Sequence, residues 1–149
     1  MAETLGSLID KLSIVKLKQF HSDDTARLND LGEQEKLLVN EIDEFICLAA
    51  AGEIPVSKLS FKSNKVYKKE GNALPEFTGS ISDIISRLAD SNCRLWHVQE
   101  KVYEFERVPA DEKDSVVKQL ALINLERTRY IDEIDNQFKR LITDRINRE

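Results

Sequence analysis

The stretch that decides the fold is residues 117–141, VKQLALINLERTRYIDEIDNQFKRL. Its apolar side chains recur at steps of three and four, the spacing that places them on one face of an α-helix. This face comprises Leu120, Ile131, Ile134, Phe138 and Leu141. The pattern predicts a long helix that follows a turn at Pro109, reaches about Arg145 and extends past its shorter neighbours.

Two helices are predicted near the start of the chain. The first begins near Thr4 or Ser7, both good N-cap residues. The second carries an apolar stripe over residues 28–45. The turn between them lies either at residues 22–24 or near Asp30, since both stretches can cap a helix. The earlier turn is preferred because it leaves the apolar stripe unbroken.

Residues 52–78 lose the helical period and are predicted to form a non-helical linker. Residues 56–67 alternate loosely enough to permit short extended segments. Five lysines between Lys58 and Lys69 could bind an anion, but a solvated loop is the more common meaning of such a run. The third helix is predicted to start after Ser80 and to end near Arg107.

Three short motifs occur in the same order in both halves of the chain. They pair residues 6–10 with 79–83, 20–24 with 96–100, and 41–43 with 133–135. A duplicated helical hairpin explains this order. The predicted fold is therefore all-α: a four-helix bundle built from two hairpins, 4–51 and 79–149, joined by the linker 52–78. All 149 residues are assigned to one domain.

The composition excludes several classes of protein. With 41% hydrophobic and 33% charged residues the chain is globular, and a net charge of −5 argues against nucleic-acid binding. No apolar run is long enough to span a membrane and no signal peptide is read, so a cytoplasmic protein is expected. Cys47 and Cys93 are expected to be free thiols, buried or half-buried, while the sequence alone leaves a disulfide between them open.

One candidate site is a polar layer on the apolar faces of the helices. Asn124 and Arg127 fall on the stripe of the fourth helix, Asn92 on that of the third, and Glu35 on that of the second, with Lys16 level with Glu35. A buried guanidinium needs a counter-ion, so Arg127 is expected to pair with Glu35, helped by Asn92. The layer either fixes helix register or holds a small anionic or sugar-like ligand.

A second constellation places a carboxylate three residues after each histidine. The pairs are His21 with Asp24 and His97 with Glu100, and each carboxylate could orient an imidazole for acid–base chemistry. Local surface ion pairs are the more ordinary interpretation. A ferritin-like metal site needs Glu before the histidine, where this chain has Lys or Arg. No metal site and no cofactor is therefore predicted.

Two carboxylate pairs could supply Mg²⁺ ligands in an all-helical pyrophosphatase. They are Glu41 with Glu44 and Asp132 with Asp135. The pairs are far apart in the sequence and lack the adjacent Glu pair of such enzymes, so this function is not favoured. Phosphate-binding loops and nucleophile motifs are absent from the sequence.

Residues 5–15, 64–67, 86–92 and 95–97 resemble a family of small helical bacterial proteins. Members of this family are found near surface-polysaccharide genes and in mobile integron cassettes, and they have no assigned activity. The resemblance covers most of the chain. It implies a helical fold, a bacterial cytoplasm and a sugar-related setting.

The expected function is a non-catalytic binding or protein-interaction module for a small anionic or carbohydrate-derived ligand. The alternative is an enzyme of surface-polysaccharide or nucleotide-sugar metabolism that uses a histidine–carboxylate pair. A homodimer is also expected, because the end of the fourth helix carries more apolar surface than its neighbours can cover. The apolar residues at this end are Phe138, Leu141, Ile142 and Ile146.

Overall fold

The protein is described here by a computed structural model that covers residues 2–61 and 77–148. Within these residues the chain forms four main helices and no strand, which confirms the all-α helical-bundle class. The helices are α1 (Leu5–Phe20), α2 (Thr25–Ala50), α3 (Ile81–Tyr103) and α4 (Lys113–Arg148). The lysines at 62–69 and most of the predicted extended segment 56–67 lie outside the described residues.

The chain divides into two compact units. We call residues Met1–Ser63 with Ile131–Glu149 the terminal unit, and residues Asn64–Tyr130 the central unit. Helix α4 contributes its first half to the central unit and its second half to the terminal unit. The compact units thus differ from the two predicted hairpins, while the assignment of all 149 residues to one domain stays a prediction.

In the terminal unit, side-chain caps fix where the first two helices begin. Thr4 is the N-cap of α1 and forms a capping box with Ser7, so both predicted cap residues take part. The Asp24 carboxylate accepts hydrogen bonds from the first turn of α2. Because α1 ends at Phe20, the turn lies at the earlier of the two predicted positions.

The core of the terminal unit is formed by α1, α2 and the second half of α4. Its buried apolar residues are Leu5, Leu8, Val15, Leu31, Leu38, Phe45, Ala49, Leu59, Ile134, Phe138 and Ile142. The Phe45 and Phe138 rings lie 6.1 Å apart. Leu59 follows a short 3₁₀ turn at Val56–Lys58 and is fully buried, so the described start of the linker belongs to this core.

Helix α1 approaches α4 closely at Gly6. A Cβ atom added at Gly6 would lie 2.4 Å from the backbone oxygen of Ile131 and 2.9 Å from Oδ1 of Asp135. Both distances are shorter than a carbon–oxygen contact, so only glycine fits this position. Gly6 therefore sets the separation of the two helices where the candidate site lies.

In the central unit, α3 begins at its N-cap Ser80, which forms a capping box with Asp83. The helix ends at Tyr103, and a 3₁₀ turn at Phe105–Arg107 occupies the rest of the predicted helix. One cluster of buried residues here consists of Leu95, Val98, Val116 and Ile123, with Val102, Val108 and Leu120 packed against it. The Glu112 N–H donates to the Pro109 carbonyl at 2.9 Å, forming the predicted turn before α4.

A polar network joins α3 to α4 within the central unit. Arg94 donates to Asp90 at 3.0 Å and to Glu126 at 2.8 Å. The Tyr130 hydroxyl donates to the other oxygen of Glu126 at 3.2 Å. Burial and the Glu126 charge raise the pKa of Tyr130, so the phenol keeps its proton and remains a donor.

Candidate functional site

The candidate site is a pocket of about 360 Å³ in the terminal unit. It lies beside the start of α1, the segment that follows α2 and the second half of α4. Its lining includes Glu3, Thr4, Ser7, Phe61, Ile131, Asp132 and Asp135. We call it the Asp132–Asp135 pocket. Carboxyl groups and apolar side chains share its wall, a combination that is common in small-molecule sites.

Asp135 is the more buried of the two aspartates, with 3% of its surface exposed. The Gly6 backbone N–H donates to its Oδ1 at 2.7 Å, and the Thr4 side chain forms a second hydrogen bond with it. Burial raises the pKa of Asp135 to about 6, against the opposing effect of these two hydrogen bonds. Asp135 therefore both caps the amino end of α1 and exchanges its proton near pH 6.

Asp132 lies three residues before Asp135, so both side chains project from the same side of α4. Burial raises the pKa of Asp132 to about 6 as well. The charge of Asp132 further raises the pKa of Asp135.

Glu3 differs from the two aspartates in its charge state. Its carboxylate is hydrogen bonded and ion-paired to Lys11, and it accepts a hydrogen bond from the Ser7 hydroxyl at 2.6 Å. These contacts lower the pKa of Glu3, with the Lys11 hydrogen bond the larger cause. The pocket thus has one carboxylate that stays charged and two carboxyl groups that can exchange protons.

Among the described residues, the lining of the Asp132–Asp135 pocket includes acids but no Lys, Arg or His. Such a wall favours ligands that offer hydrogen-bond donors or a positive charge, and it repels anions. Among residues 2–61 and 77–148, no three His, Cys, Asp or Glu side chains are placed to hold a metal ion. The described lining of the pocket supplies groups for hydrogen bonding and for proton exchange.

A second, smaller pocket of about 260 Å³ also lies in the terminal unit and shares Glu3 with the first. Phe45, Leu48 and Pro55 provide apolar wall, and Lys58 provides a positive charge. Lys58 is the only one of the predicted linker lysines whose position falls within the described residues. Its presence gives this pocket a mixed charge.

The members of the predicted polar layer fall in different units. In the terminal unit, Glu35 accepts hydrogen bonds from Lys16 at 3.0 Å and from Gln19 at 2.7 Å, and these bonds, Gln19 first, lower the pKa of Glu35. In the central unit, Asn92 is buried, while Asn124 and Arg127 are half-buried. Lys16 and Glu35 do lie together, and the pairing of Glu35 with Arg127 stays a prediction.

The histidine–carboxylate pairs lie on the surface. His97 Nδ1 is 3.9 Å from Glu100 Oε2, and the two side chains are 68% and 57% exposed. His21 is exposed and follows the last residue of α1, and its ring meets Phe20 edge-on. Asp24 accepts hydrogen bonds from the start of α2. All four residues are exposed, and none of them lines either of the two pockets described above.

Two further expectations are corrected or extended by the structure. Cys47 and Cys93 are free, as predicted, but both are exposed rather than buried. Asp132 and Asp135 appeared in the sequence only as a weak Mg²⁺ pair. The signal that was missed is the position of Asp135 four residues after Ile131 and next to Ile134, on the apolar stripe, where a carboxyl group is forced into the interior.

No protein-family model, curated protein or solved structure matches this chain. None of the described helices is both long and apolar enough to cross a membrane.

Proposed function

We propose that the protein is a non-catalytic binding module that holds a small carbohydrate-derived ligand in the Asp132–Asp135 pocket. The observation that carries this proposal is the presence of two protonatable carboxyl groups, the buried Asp135 and the half-buried Asp132, in one pocket with Phe61. Carboxylates accept hydrogen bonds from hydroxyl groups. Phe61 is 41% exposed and offers an apolar surface for the carbon face of a sugar ring.

The charge of the pocket supports one of the two predicted ligand classes over the other. Glu3, Asp132 and Asp135 would repel an anion, so the carbohydrate-derived class is favoured over the anionic class. A sugar that carries an amino group would gain a charge-assisted hydrogen bond in addition. The resemblance to proteins encoded near polysaccharide genes supports the same ligand class and a bacterial cytoplasmic setting.

A second candidate function is acid–base catalysis on such a ligand. The specific observation in its favour is that both aspartates have a pKa of about 6, close to the value at which one group can give a proton and another accept it. This enzyme would use Asp132 and Asp135 rather than the exposed His97 and Glu100 pair. A binding module should release the bound sugar chemically unchanged, whereas an enzyme should release a modified sugar.

The test is a calorimetric titration of the whole protein with neutral sugars, amino sugars and sugar phosphates. We expect neutral and amino sugars to bind and sugar phosphates to bind at least about tenfold more weakly, because of the like charges. Asp132→Asn should weaken binding while the fold is kept. Asp144→Asn is the matched control, since it makes the same change at an exposed position of the same helix.

Three outcomes decide the matter. Binding that is lost in Asp132→Asn and kept in Asp144→Asn supports the pocket as the site. Preferential binding of sugar phosphates, or equal effects of the two variants, contradicts the proposal. Release of a modified sugar from the mixture supports the catalytic alternative, and Asp132→Asn should then abolish that release.

A further inference from the structure

Two exposed stripes of the terminal unit carry the same residue pattern with opposite charges. On α2 the stripe is Leu37, Glu41 and Glu44, and on the end of α4 it is Leu141, Arg145 and Arg148. Both follow the spacing i, i+4, i+7, which places three side chains along one line of a helix. All six residues are exposed.

The apolar member of each stripe is unusually open to solvent. Leu37 is 63% exposed and Leu141 is 55% exposed. Each leucine stands at the start of its stripe, with two like charges along the helix beyond it. When two helices pack together, ion pairs between charged residues can flank an apolar contact and set the choice of partner.

The charges of the surrounding segments reinforce this complementarity. Residues 37–46 of α2 contain three acids, Glu41, Asp43 and Glu44, and no Lys or Arg. Residues 138–148 of α4 contain four bases and one acid. The whole chain has a net charge of −5, so two copies repel each other unless they meet through oppositely charged surfaces.

From these observations we infer that the protein forms a homodimer in which the α2 stripe of one copy packs against the α4 stripe of the other. In a twofold dimer this contact occurs twice, because the acidic stripe of each copy meets the basic stripe of the other. The partner is a second copy of this chain, since the chain itself supplies the matching pattern and charge. The inference is independent of the sugar-binding proposal, because neither stripe lines the Asp132–Asp135 pocket.

Charge reversal tests the contact directly. One variant carries Glu41→Lys with Glu44→Lys, and the other carries Arg145→Glu with Arg148→Glu. In either variant alone both contacts bring like charges together, so we expect the dimer dissociation constant to rise by about a hundredfold or more. When the two variants are mixed, every contact again joins opposite charges. Light scattering should then report monomers for each variant and dimers for the equimolar mixture.

The controls separate the contact from general effects of charge. Asp43→Lys makes the same kind of change on α2 but off the stripe, and it should leave the dimer in place. Leu37→Gln keeps all charges and should also give monomers, because it removes the apolar part of the contact. This variant still tests the contact if a charge-reversed variant loses its helical circular-dichroism signal. A monomeric wild-type protein at high concentration, a dimeric Leu37→Gln variant, or a mixture of folded variants that stays monomeric overturns the inference.

Discussion

Replacing Gly6 by Ala should destabilise the protein, although the same change in most helices is stabilising. An alanine in a helix is ordinarily favoured over glycine by about 0.5–1 kcal/mol. At Gly6 the new Cβ would lie 2.4 Å from the Ile131 oxygen, so α1 and α4 must separate by nearly an ångström. Overpacking of this kind costs about 1–3 kcal/mol, and lengthening the 2.7 Å bond to the buried Asp135 carboxyl adds about 1 kcal/mol or more. After the ordinary gain from alanine is subtracted, the expected net loss is about 1–3.5 kcal/mol.

The chain contains its own control for this prediction. Gly32 lies inside α2, and a Cβ added there would meet no atom within 4 Å. Gly32→Ala should therefore stabilise the protein by about 0.5–1 kcal/mol. Urea unfolding followed by circular dichroism at neutral pH measures both changes. If Gly6→Ala is neutral or stabilising, or if the two variants shift in the same direction, the close approach of α1 and α4 is wrong.

Two other predictions concern the terminal unit. Burial raises the pKa of Asp132 and Asp135 from 3.8 to about 6, so the folded state favours the neutral form of each group. The free energy of unfolding should therefore rise as the pH is lowered through 6. Between about pH 7.5 and pH 5 the free energy of unfolding should increase by about 1–2 kcal/mol, discounted for the partial exposure of Asp132, and Asp135→Asn should flatten this rise. If the free energy of unfolding of the wild-type protein falls as the pH is lowered from about 7.5 to about 5, the raised pKa of these two aspartates is refuted. Leu59→Ala should cost about 2–4 kcal/mol in urea unfolding because the side chain is fully buried, and a change below about 0.5 kcal/mol would mean that the segment after α2 does not pack in the core.

The helices were predictable from the sequence because their ends are set by local chemistry. Asp24 caps α2 through its own side chain, and Pro109 forms the turn before α4, so neighbouring residues are enough to locate both boundaries. The end of α3 was predicted too late, at Arg107 instead of Tyr103. A 3₁₀ turn continues the winding of the backbone there, and an apolar pattern does not distinguish the two kinds of helix.

The candidate pocket was not predictable in the same way, because it depends on a contact between distant segments. Asp135 is buried because α1 covers it. The apolar stripe of α4 does not indicate which helix packs over Asp135. The internal duplication did not predict the pocket either. Ser7 is the third residue of α1, whereas its counterpart Ser80 is the N-cap of α3, so matched residues have different structural roles.

The hydrogen bond from Gly6 to Asp135 joins residues that are 129 positions apart. During synthesis on the ribosome, α1 and α2 emerge long before the second half of α4, which completes the core of the terminal unit. The central unit is continuous in sequence, so all of its residues are available earlier. Contacts between distant residues form slowly because a long loop must close first. In the newly made α1–α2 hairpin, Phe45 therefore stays uncovered until the second half of α4 has been made. We expect chaperones to bind the chain most strongly during this interval.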